Sequence, residues 1–600
     1  MPVRSQNPRR PQFRQPDLPP APVSTRLGNE VIRVIYAGWL PALIFLVPLI
    51  YFWPALYSGF VSDDYFYHLT FVYGLDDYIR KAALIHAGEI HFPFIRPVVF
   101  TSFRLDYLIW GPDPVGFHFT NLLLHSANAV LLFHLARNLG LSRLGGAIAA
   151  LFFALYPANP EAVTWISGRF DLLAITFLFI TYITWCASRL TENPRWMIPS
   201  LISFFLAIFS KENAAAGLLV LPLIDWILHV KTSRARGNGV GWAWQWYVVF
   251  FAVVMVILAF RIWLFWGIGG YVDEYNQSTY FAAGFSYVWN NLVNNLWMLI
   301  TPISRILWGD WSQYLQIVFI TGGVILGLLM LESLIWSGVQ ARRVSVWPLA
   351  ILATGILWVI IMLLPVLTLE EVEGSLNRTR FLYPAVPGIA LWIGLTADMG
   401  LQYGRSVRNI VIILLLIMLV LSGVALRRHN ETWIEAGEVA QRIAAVMEAN
   451  TSDIPEDTDL FVVNFPWLWR GAHCAPINYG GFVEYRYDTE KVDIHIMRLD
   501  PAEIDSWWVD IQYRWARPGV GFVWDREAET MRVMPLFYPR TLPNERLWEL
   551  FGPDVTEEPA NGQEPEVPAL TEIEEPPAET EEGAPSPTEE EVEVLPEAEP

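Results

Sequence analysis

Apolar residues in this chain gather into long unbroken runs divided by short polar stretches, a pattern unlike the alternation of a half-buried strand or the stripe of a surface helix. Eleven runs have the length needed to cross a hydrocarbon core about 30 Å thick: 32–57, 114–137, 143–160, 169–189, 196–211, 214–230, 241–266, 313–337, 346–368, 380–400 and 406–426. A segment in lipid must satisfy its own backbone donors and acceptors, so each run is predicted to be helical. The pattern therefore predicts an all-α polytopic membrane protein with about 11 transmembrane helices. The run at 284–305 differs. Asn290, Asn291, Asn294 and Asn295 interrupt its Trp and Leu residues, which predicts a helix lying at the interface in place of a twelfth span.

Two polar intervals are long enough to carry structure of their own. In the loop 58–113, Phe66, Leu69, Val72, Leu75, Ile79 and Ala82 recur at three- or four-residue spacing, as in an amphipathic helix resting on a membrane surface. Residues 429–553 read as a small α/β or α+β domain. Thr432-x-x-Glu435 is a capping-box pattern ahead of a helix ending near Asn450, and strands are predicted at 459–465, 492–497 and 519–524. Residues 1–31, rich in Pro and Arg, and the Pro/Glu segment 554–600 lack the apolar content to fold and are predicted to be disordered.

Composition sharpens this picture. A chain with 54% hydrophobic and 17% charged residues is too apolar for a soluble enzyme of 600 residues. The net charge of −20 is local: residues 554–600 hold 17 carboxylates and no Lys or Arg, and the rest of the chain has 43 acidic against 40 basic residues. Such a body offers no basic surface to nucleic acid. The two cysteines, Cys186 and Cys474, provide neither a disulfide framework nor a thiolate metal site.

Orientation follows from the cations, because short loops rich in Lys and Arg stay on the cytoplasmic side. With the N-terminus cytoplasmic, Arg137, Arg143, Arg189, Arg195, Lys231, Arg234, Arg236, Arg342, Arg343, Arg405 and Arg408 collect inside, and residues 427–600 fall outside. The outward ends of several spans then carry ionisable groups: Asp63 and Asp64, Glu161, Arg169 and Asp171, Lys211 and Glu212, Arg378 and Arg380. Such groups at a membrane boundary are costly and mark a substrate or ion pathway, although anchoring and mutual pairing are the plainer explanation for any one of them. In the adjacent pair Asp63–Asp64, crowded like charge raises one of the two pKa values, which suits a general base that works without a metal. His118, His125 and His134 are spread over 17 residues of one predicted span, from its outer to its inner end, and are not read as a metal cluster. Arg261 among Trp263, Phe265 and Trp266 reads as an interfacial arginine against aromatic rings.

Tyr156-Pro157-Ala158-Asn159-Pro160-Glu161-Ala162-Val163-Thr164-Trp165-Ile166-Ser167-Gly168-Arg169-Phe170-Asp171-Leu172-Leu173, followed by Phe209-Ser210-Lys211-Glu212, resembles the signatures of the transmembrane and tetratricopeptide-repeat O-mannosyltransferases and their bacterial relatives. The resemblance extends to Arg96-Pro97, Ser102-Phe103-Arg104-Leu105, Gly116-Phe117-His118 with Asn121 and His125, and Arg380-Phe381-Leu382-Tyr383-Pro384. It implies the GT-C fold of polytopic glycosyltransferases, which take a sugar from a polyprenyl-phosphate carrier and pass it to an acceptor. It also implies roles for residues: Asp64 or Asp63 as the base, with Asp64 slightly preferred, and Arg96, Arg169, Lys211, Arg378 and Arg380 as cations for the lipid phosphate, with Glu161, Asp171 and Glu212 among the substrate-binding groups. The family has His where Tyr156 and Asn159 stand, and no 34-residue helical repeat is visible here, so the acceptor (glycan, lipid or protein) stays open.

The reading is an inverting membrane glycosyltransferase, transferring a hexose such as mannose on the outer face of a plasma membrane of bacterial type. It expects a polyprenyl-phosphate-linked donor and membrane lipids as partners and no cofactor, and it assigns no metal site. A transporter or flippase of lipid-linked sugars and an oligosaccharide ligase or polymerase remain the alternatives. A transporter would place charges near the bilayer midplane beside broken helices in two related halves, whereas here they sit at one rim. Labelling of cysteines introduced near Asp64 and Lys211 is expected to place both on the side opposite the amino terminus; labelling from different sides would break the reading.

Overall fold

The computed structural model describes residues 39–65, 86, 94–236, 240–267, 284–341, 346–369, 375–400, 405–451, 458–474, 494–515 and 517–538. The amphipathic helix expected between 66 and 82 and both segments expected to be disordered lie outside the described residues.

The membrane body comprises α1 (Trp39–Tyr57), α2 (Pro97–Trp110), α3 (Pro114–Leu139), α4 (Arg143–Ala154), α5 (Arg169–Thr191), α6 (Met197–Ser210), α7 (Val220–Arg236), α8 (Trp244–Phe265), α9 (Phe285–Ile300), α10 (Trp311–Ala341), α11 (Val346–Leu363), α12 (Val386–Gly400) and α13 (Arg405–Ala449). Among the described residues, eight helices are long and apolar enough to cross a membrane. Three shorter apolar helices, Arg143–Ala154, Pro194–Ser210 and Val386–Gly400, fall in the remaining predicted runs. The structure thus has the predicted mostly helical, polytopic class.

Local chemistry fixes these helix ends. Asp113 accepts from Val115 N at 3.0 Å to start α3, and Gly140 in the left-handed region ends it. Ser142 caps α4 at Gly145 N, 3.1 Å away. Helices pack closely where side chains are absent: a Cβ on Gly355 would stand 2.7 Å from Gly388 O, so only glycine lets α11 and α12 meet there. The span beginning at Ile166, which contains α5, is 72% buried inside the protein, against 22% for that of α8, so α5 forms the centre and α8 the rim.

Helix α9 is 16 residues long and occupies the Asn-rich run. Asn291 and Asn295 face protein, not solvent. Asn291 Nδ2 donates to Leu367 O at 3.0 Å and Leu369 O at 2.8 Å, satisfying carbonyls released where α11 unwinds.

The C-terminal unit is a four-stranded sheet in the order β4-β1-β5-β6, built from β1 (Asp459–Val463), β4 (Ile494–Met497), β5 (Gly519–Asp525) and β6 (Thr530–Phe537). Strand β1 pairs in parallel with both β4 and β5, and β6 is antiparallel to β5. The run Asp459–Val463 is buried on both faces, as an apolar central parallel strand should be. One face packs Phe461 and Val463 against Ile504, Trp508 and Ile511 of α14 (Ile504–Arg514). The other packs Leu460, Val462 and Phe522 into a core shared with Trp433, Ala436 and Ile443 of α13 and with Phe60, Val61 and Trp165 of the membrane body. A small hairpin, β2 (Leu468–Trp469) and β3 (Ala472–His473), closes against that core. The three predicted strands are present; β6, an edge strand containing Pro535, and the two-residue strands of the hairpin carry too little pattern to predict.

The expected boundary at 428/429 is not where the chain breaks. Helix α13 runs unbroken from Arg405 to Ala449, so Thr432 lies in mid-helix and does not cap a new one. Its hydroxyl donates back to Arg428 O at 3.2 Å, and the polar residues beside it serve tertiary contacts: His429 Nδ1 lies 2.8 Å from Pro157 O, and Asn430 meets the Thr164 hydroxyl. One rigid rod therefore joins the membrane body to the C-terminal sheet. Its fit on the 58–65 loop depends on Gly437, where a Cβ would meet Ser58 Oγ and come within 2.9 Å of Gly59 N. Gly437→Val is expected to destabilise the protein by about 1–3 kcal/mol and lower its thermal midpoint in detergent. Gly284→Ala, with open space around it, serves as the control; equal midpoints for the two variants would contradict the close approach.

Candidate functional site

The turn after α1 carries both candidate carboxylates. Ser62 adopts φ +50°, a left-handed conformation that reverses the chain, and Asp64 N bonds back to Val61 O at 3.0 Å. Asp64 is 0% exposed and fully engaged. Its Oδ2 accepts from Val61 N at 3.1 Å, and its Oδ1 accepts from Ser167 N at 2.9 Å and Ser167 Oγ at 2.5 Å. Burial pushes Asp64 up to about 7, opposed by the Ser167 and Val61 hydrogen bonds. Asp63 is half-buried and accepts no hydrogen bond among the described residues. Burial raises its pKa above the usual carboxylate range, while the nearby charges of Arg380 and Arg96 act to lower it. The adjacent carboxylates thus have different tasks: Asp64 ties the turn to Ser167, and Asp63 is left within reach of two arginines.

Those arginines are themselves held by carboxylates from other segments. Arg96, at the start of α2, forks onto Glu212 with Nε–Oε2 3.0 Å and Nη2–Oε1 2.6 Å, and its guanidinium lies 4.8 Å from the Phe170 ring centre. Arg380 pairs with the fully buried Glu161 through its side chain, and its backbone N–H donates to Glu161 Oε2 at 2.8 Å. Its guanidinium lies 4.7 Å from both the Trp165 and Phe381 ring centres. Lys211 Nζ meets both Asp171 oxygens at 2.7 and 2.8 Å and lies 5.2 Å from the Phe381 centre. Arg378 is half-buried with φ +68° at the turn before Arg380.

All ten predicted site residues therefore lie at one end of the helical body, where three ion pairs, Arg96–Glu212, Lys211–Asp171 and Arg380–Glu161, join six of them. They are not equally available. Arg169 is 0% exposed, and all three of its nitrogens are occupied. Nε donates to Asn121 Oδ1 at 2.7 Å, Nη2 to Phe117 O at 2.7 Å, and Nη1 pairs with Asp106 at 2.5 Å. It is a cross-link among α2, α3 and α5 and presents no donor to a phosphate. The Lys211–Asp171 pair borders a small pocket lined by Ala174, Leu178, Met362 and Phe381.

Several participants were not anticipated. Ser167 and Asp106 hold Asp64 and Arg169; an acid inside the apolar run of α2 was the available signal for Asp106. Arg261 does lie 5.2 Å from the Phe265 ring centre, as an interfacial arginine would, yet it is 6% exposed and its charge acts on Glu212. The histidines of α3 have structural partners: His118 Nε2 lies 3.1 Å from Ser58 O, and His125 bridges Tyr383 OH and Ala154 O at 2.9 and 3.1 Å. Tyr156 and Asn159, where the family has His, bond to Leu299 O and Phe153 O, each at 2.7 Å. His473, whose Nε2 stands 3.9 Å from Glu161 Oε1, has no sequence signal at all.

The fold and this charge cluster define a polytopic helical membrane protein with a polar site at one end of its bundle, and sequence comparison finds relatives for part of the chain. The chain is 35% identical over 130 residues to the protein O-mannosyl-transferase Tmtc1 of Drosophila melanogaster, covering 22% of this chain and 15% of that protein. It is 30% identical over 248 residues to protein O-mannosyl-transferase tmtc2 of Xenopus laevis, covering 38% and 29%, and 29% identical over 181 residues to human protein O-mannosyl-transferase TMTC3, covering 28% and 19%. The resemblance seen in the motifs is thus borne out, over less than a third of the length of these relatives. No family model matches the chain. Among solved structures it is similar to ArnT from Cupriavidus metallidurans bound to undecaprenyl phosphate (12% identity, TM-score 0.40, 81% of this chain and 93% of that one). It is also similar to the Archaeoglobus fulgidus oligosaccharyltransferase (13% identity, TM-score 0.41, 78% and 64%).

Arg169→Ala leaves Asp106 buried without its counter-charge and is expected to cost about 3–5 kcal/mol of stability, read as loss of the folded peak in detergent chromatography. Asp106→Asn together with Arg169→Gln is expected to restore much of it; a stable single variant would contradict the cross-link.

Proposed function

We propose that the chain is a membrane glycosyltransferase that moves a hexose of the mannose type from a polyprenyl-phosphate carrier to an acceptor hydroxyl on the outer face, with inversion. The observation that carries the proposal is Asp63: a carboxylate with a raised pKa and no hydrogen-bond donor among the described residues, within charge range of Arg96 and Arg380. A base and an anion site side by side are what sugar transfer from a lipid phosphate requires. The O-mannosyl-transferase names of the sequence relatives support the same chemistry.

In this reading Asp63 removes the proton of the acceptor hydroxyl as its oxygen attacks the anomeric carbon. The bond from that carbon to the phosphate oxygen breaks with its electron pair going to oxygen, and the departing polyprenyl phosphate gains a second negative charge. Arg96 and Arg380, with Arg378 beside them, are placed to receive it. Their partners Glu212 and Glu161 fix the guanidinium planes in advance, so little reorganisation accompanies charge development. Asp64 is a positioning residue, which reverses the slight preference for it as base. Proton removal and charge stabilisation are both supplied by side chains, so the scheme calls on no cofactor. The cation distribution along the sequence supports a cytoplasmic N-terminus and an outward site; the reading sets the protein in a plasma membrane of bacterial type, with a glycan, lipid or protein hydroxyl as acceptor.

Asp63→Asn is expected to lower kcat by about 10²–10⁴-fold while expression and membrane insertion persist. Asp64→Asn should act mainly on stability, by setting an amide against the Ser167 and Val61 donors. Because a working base must be ionised and Asp63 is raised, the acid limb of the rate profile should lie above the usual carboxylate range, with activity falling as pH drops through it. Transfer of radiolabelled hexose from polyprenyl-phosphate hexose in proteoliposomes measures the first and third, and the thermal midpoint in detergent measures the second. Full activity of Asp63→Asn would remove the assignment.

A further inference from the structure

The C-terminal unit reaches the site through its hairpin. Cys474 O accepts from Ser62 N at 3.2 Å, so the backbone beside β3 is bonded to the turn that carries Asp63. The hairpin is fixed from behind as well: Cys474 Sγ lies 3.4 Å from Ala436 O of α13, and Trp469 Nε1 donates to Glu435 at 3.4 Å. Gly471, at φ +91°, lies so close to the segment before Arg378 that a Cβ would come within 3.1 Å of Leu376 N. This geometry delivers His473 to the middle of the charge cluster.

His473 is 7% exposed, with ring centres of Trp165 and Trp433 5.0 and 6.0 Å away. Its Nε2 stands 3.9 Å from Glu161 Oε1. Burial lowers its pKa to about 3, and the charges of Arg380 and Arg378 act in the same direction, so the ring is neutral at physiological pH. A neutral imidazole carries one proton. The Glu161 carboxylate 3.9 Å from Nε2 is too far for a hydrogen bond, but its charge favours the tautomer with the proton on Nε2, in which Nδ1 keeps a lone pair. Nδ1 is buried and has no hydrogen-bond partner among the described residues. A buried acceptor without a donor is costly, and nothing in the hairpin's own pairing calls for histidine there. The missing donor must be uncharged or weakly acidic to sit beside two arginines, and a hydroxyl meets that condition.

We propose that His473 is a substrate-binding residue supplied by the C-terminal domain, its Nδ1 accepting a hydrogen bond from a sugar-type hydroxyl during transfer. The proposal rests on the glycosyltransferase reading above. The hydroxyl belongs to the transferred hexose or to the acceptor, and kinetics separate the two: loss of the contact raises KM for polyprenyl-phosphate hexose in the first case and for the acceptor in the second.

The test compares His473→Phe, His473→Asn and His473→Gln in the full chain, with bare polyprenyl phosphate as an inhibitor. An asparagine amide falls near the position of Nδ1 and a glutamine amide near that of Nε2. His473→Phe is expected to lower kcat/KM about tenfold with an unchanged thermal midpoint and unchanged inhibition by bare polyprenyl phosphate, which has no sugar hydroxyl to offer. His473→Asn should recover most of the loss and His473→Gln little of it. Wild-type kcat/KM in His473→Phe overturns the proposal, as does recovery by Gln in place of Asn, or inhibition weakened in parallel with turnover. A common loss of thermal midpoint in all three assigns the ring to packing and also overturns it. If the wild type transfers no hexose from any polyprenyl-phosphate donor, the glycosyltransferase reading fails and takes this inference with it; if the wild type transfers and His473→Phe matches it, only the inference fails.

Discussion

The site depends on how the four-residue turn Val61–Asp64 is held. A carboxylate between two arginines would ordinarily collapse onto one of them as a simple ion pair. Here Asp64 absorbs the local donors: Ser167 N and Oγ and Val61 N all bond to it, and Ser62 N bonds to Cys474 O. With the turn pinned at Ser167 on one side and at the C-terminal hairpin on the other, Asp63 is directed by backbone geometry, not by its own pairing. Three segments more than 100 residues apart in sequence must be in place before Asp63 is, which makes the site a product of the whole fold.

The surrounding charges follow the same logic. Arg96, Arg169, Lys211 and Arg380 each have a carboxylate partner, Glu212, Asp106, Asp171 and Glu161 respectively. Buried pairs of this kind add little net stability, because desolvation offsets their attraction, but breaking one costs several kcal/mol. Their effect is to fix geometry. Pairing holds Arg96 and Arg380 oriented where their charges act on Asp63, whereas Arg169 is engaged at every nitrogen by Asn121, Phe117 and Asp106.

Much of this was legible in the sequence because the bilayer imposes a strong rule. Long apolar runs must be helices, and every one of the eleven predicted runs contains one. Charged residues at run ends gathered at one face because neither lipid nor a packed interior tolerates them singly. Other features had no such rule behind them. The rod of α13 continues past Thr432 because tertiary contacts of His429 and Asn430 outweigh a local capping pattern. The division of labour between Asp63 and Asp64 turns on which carboxylate meets Ser167, and adjacent identical residues carry no signal for that. His473 enters through a hairpin whose strands are too short to show a period.

The most direct measurement of the central claim is an experimental structure with a non-transferable polyprenyl-phosphonate hexose bound. The account predicts the phosphonate oxygens within hydrogen-bond distance of Arg96 or Arg380, with the anomeric carbon turned toward Asp63. A headgroup seated at the opposite ends of the helices, or one that meets Arg169 while Asp63 stays remote, would contradict it.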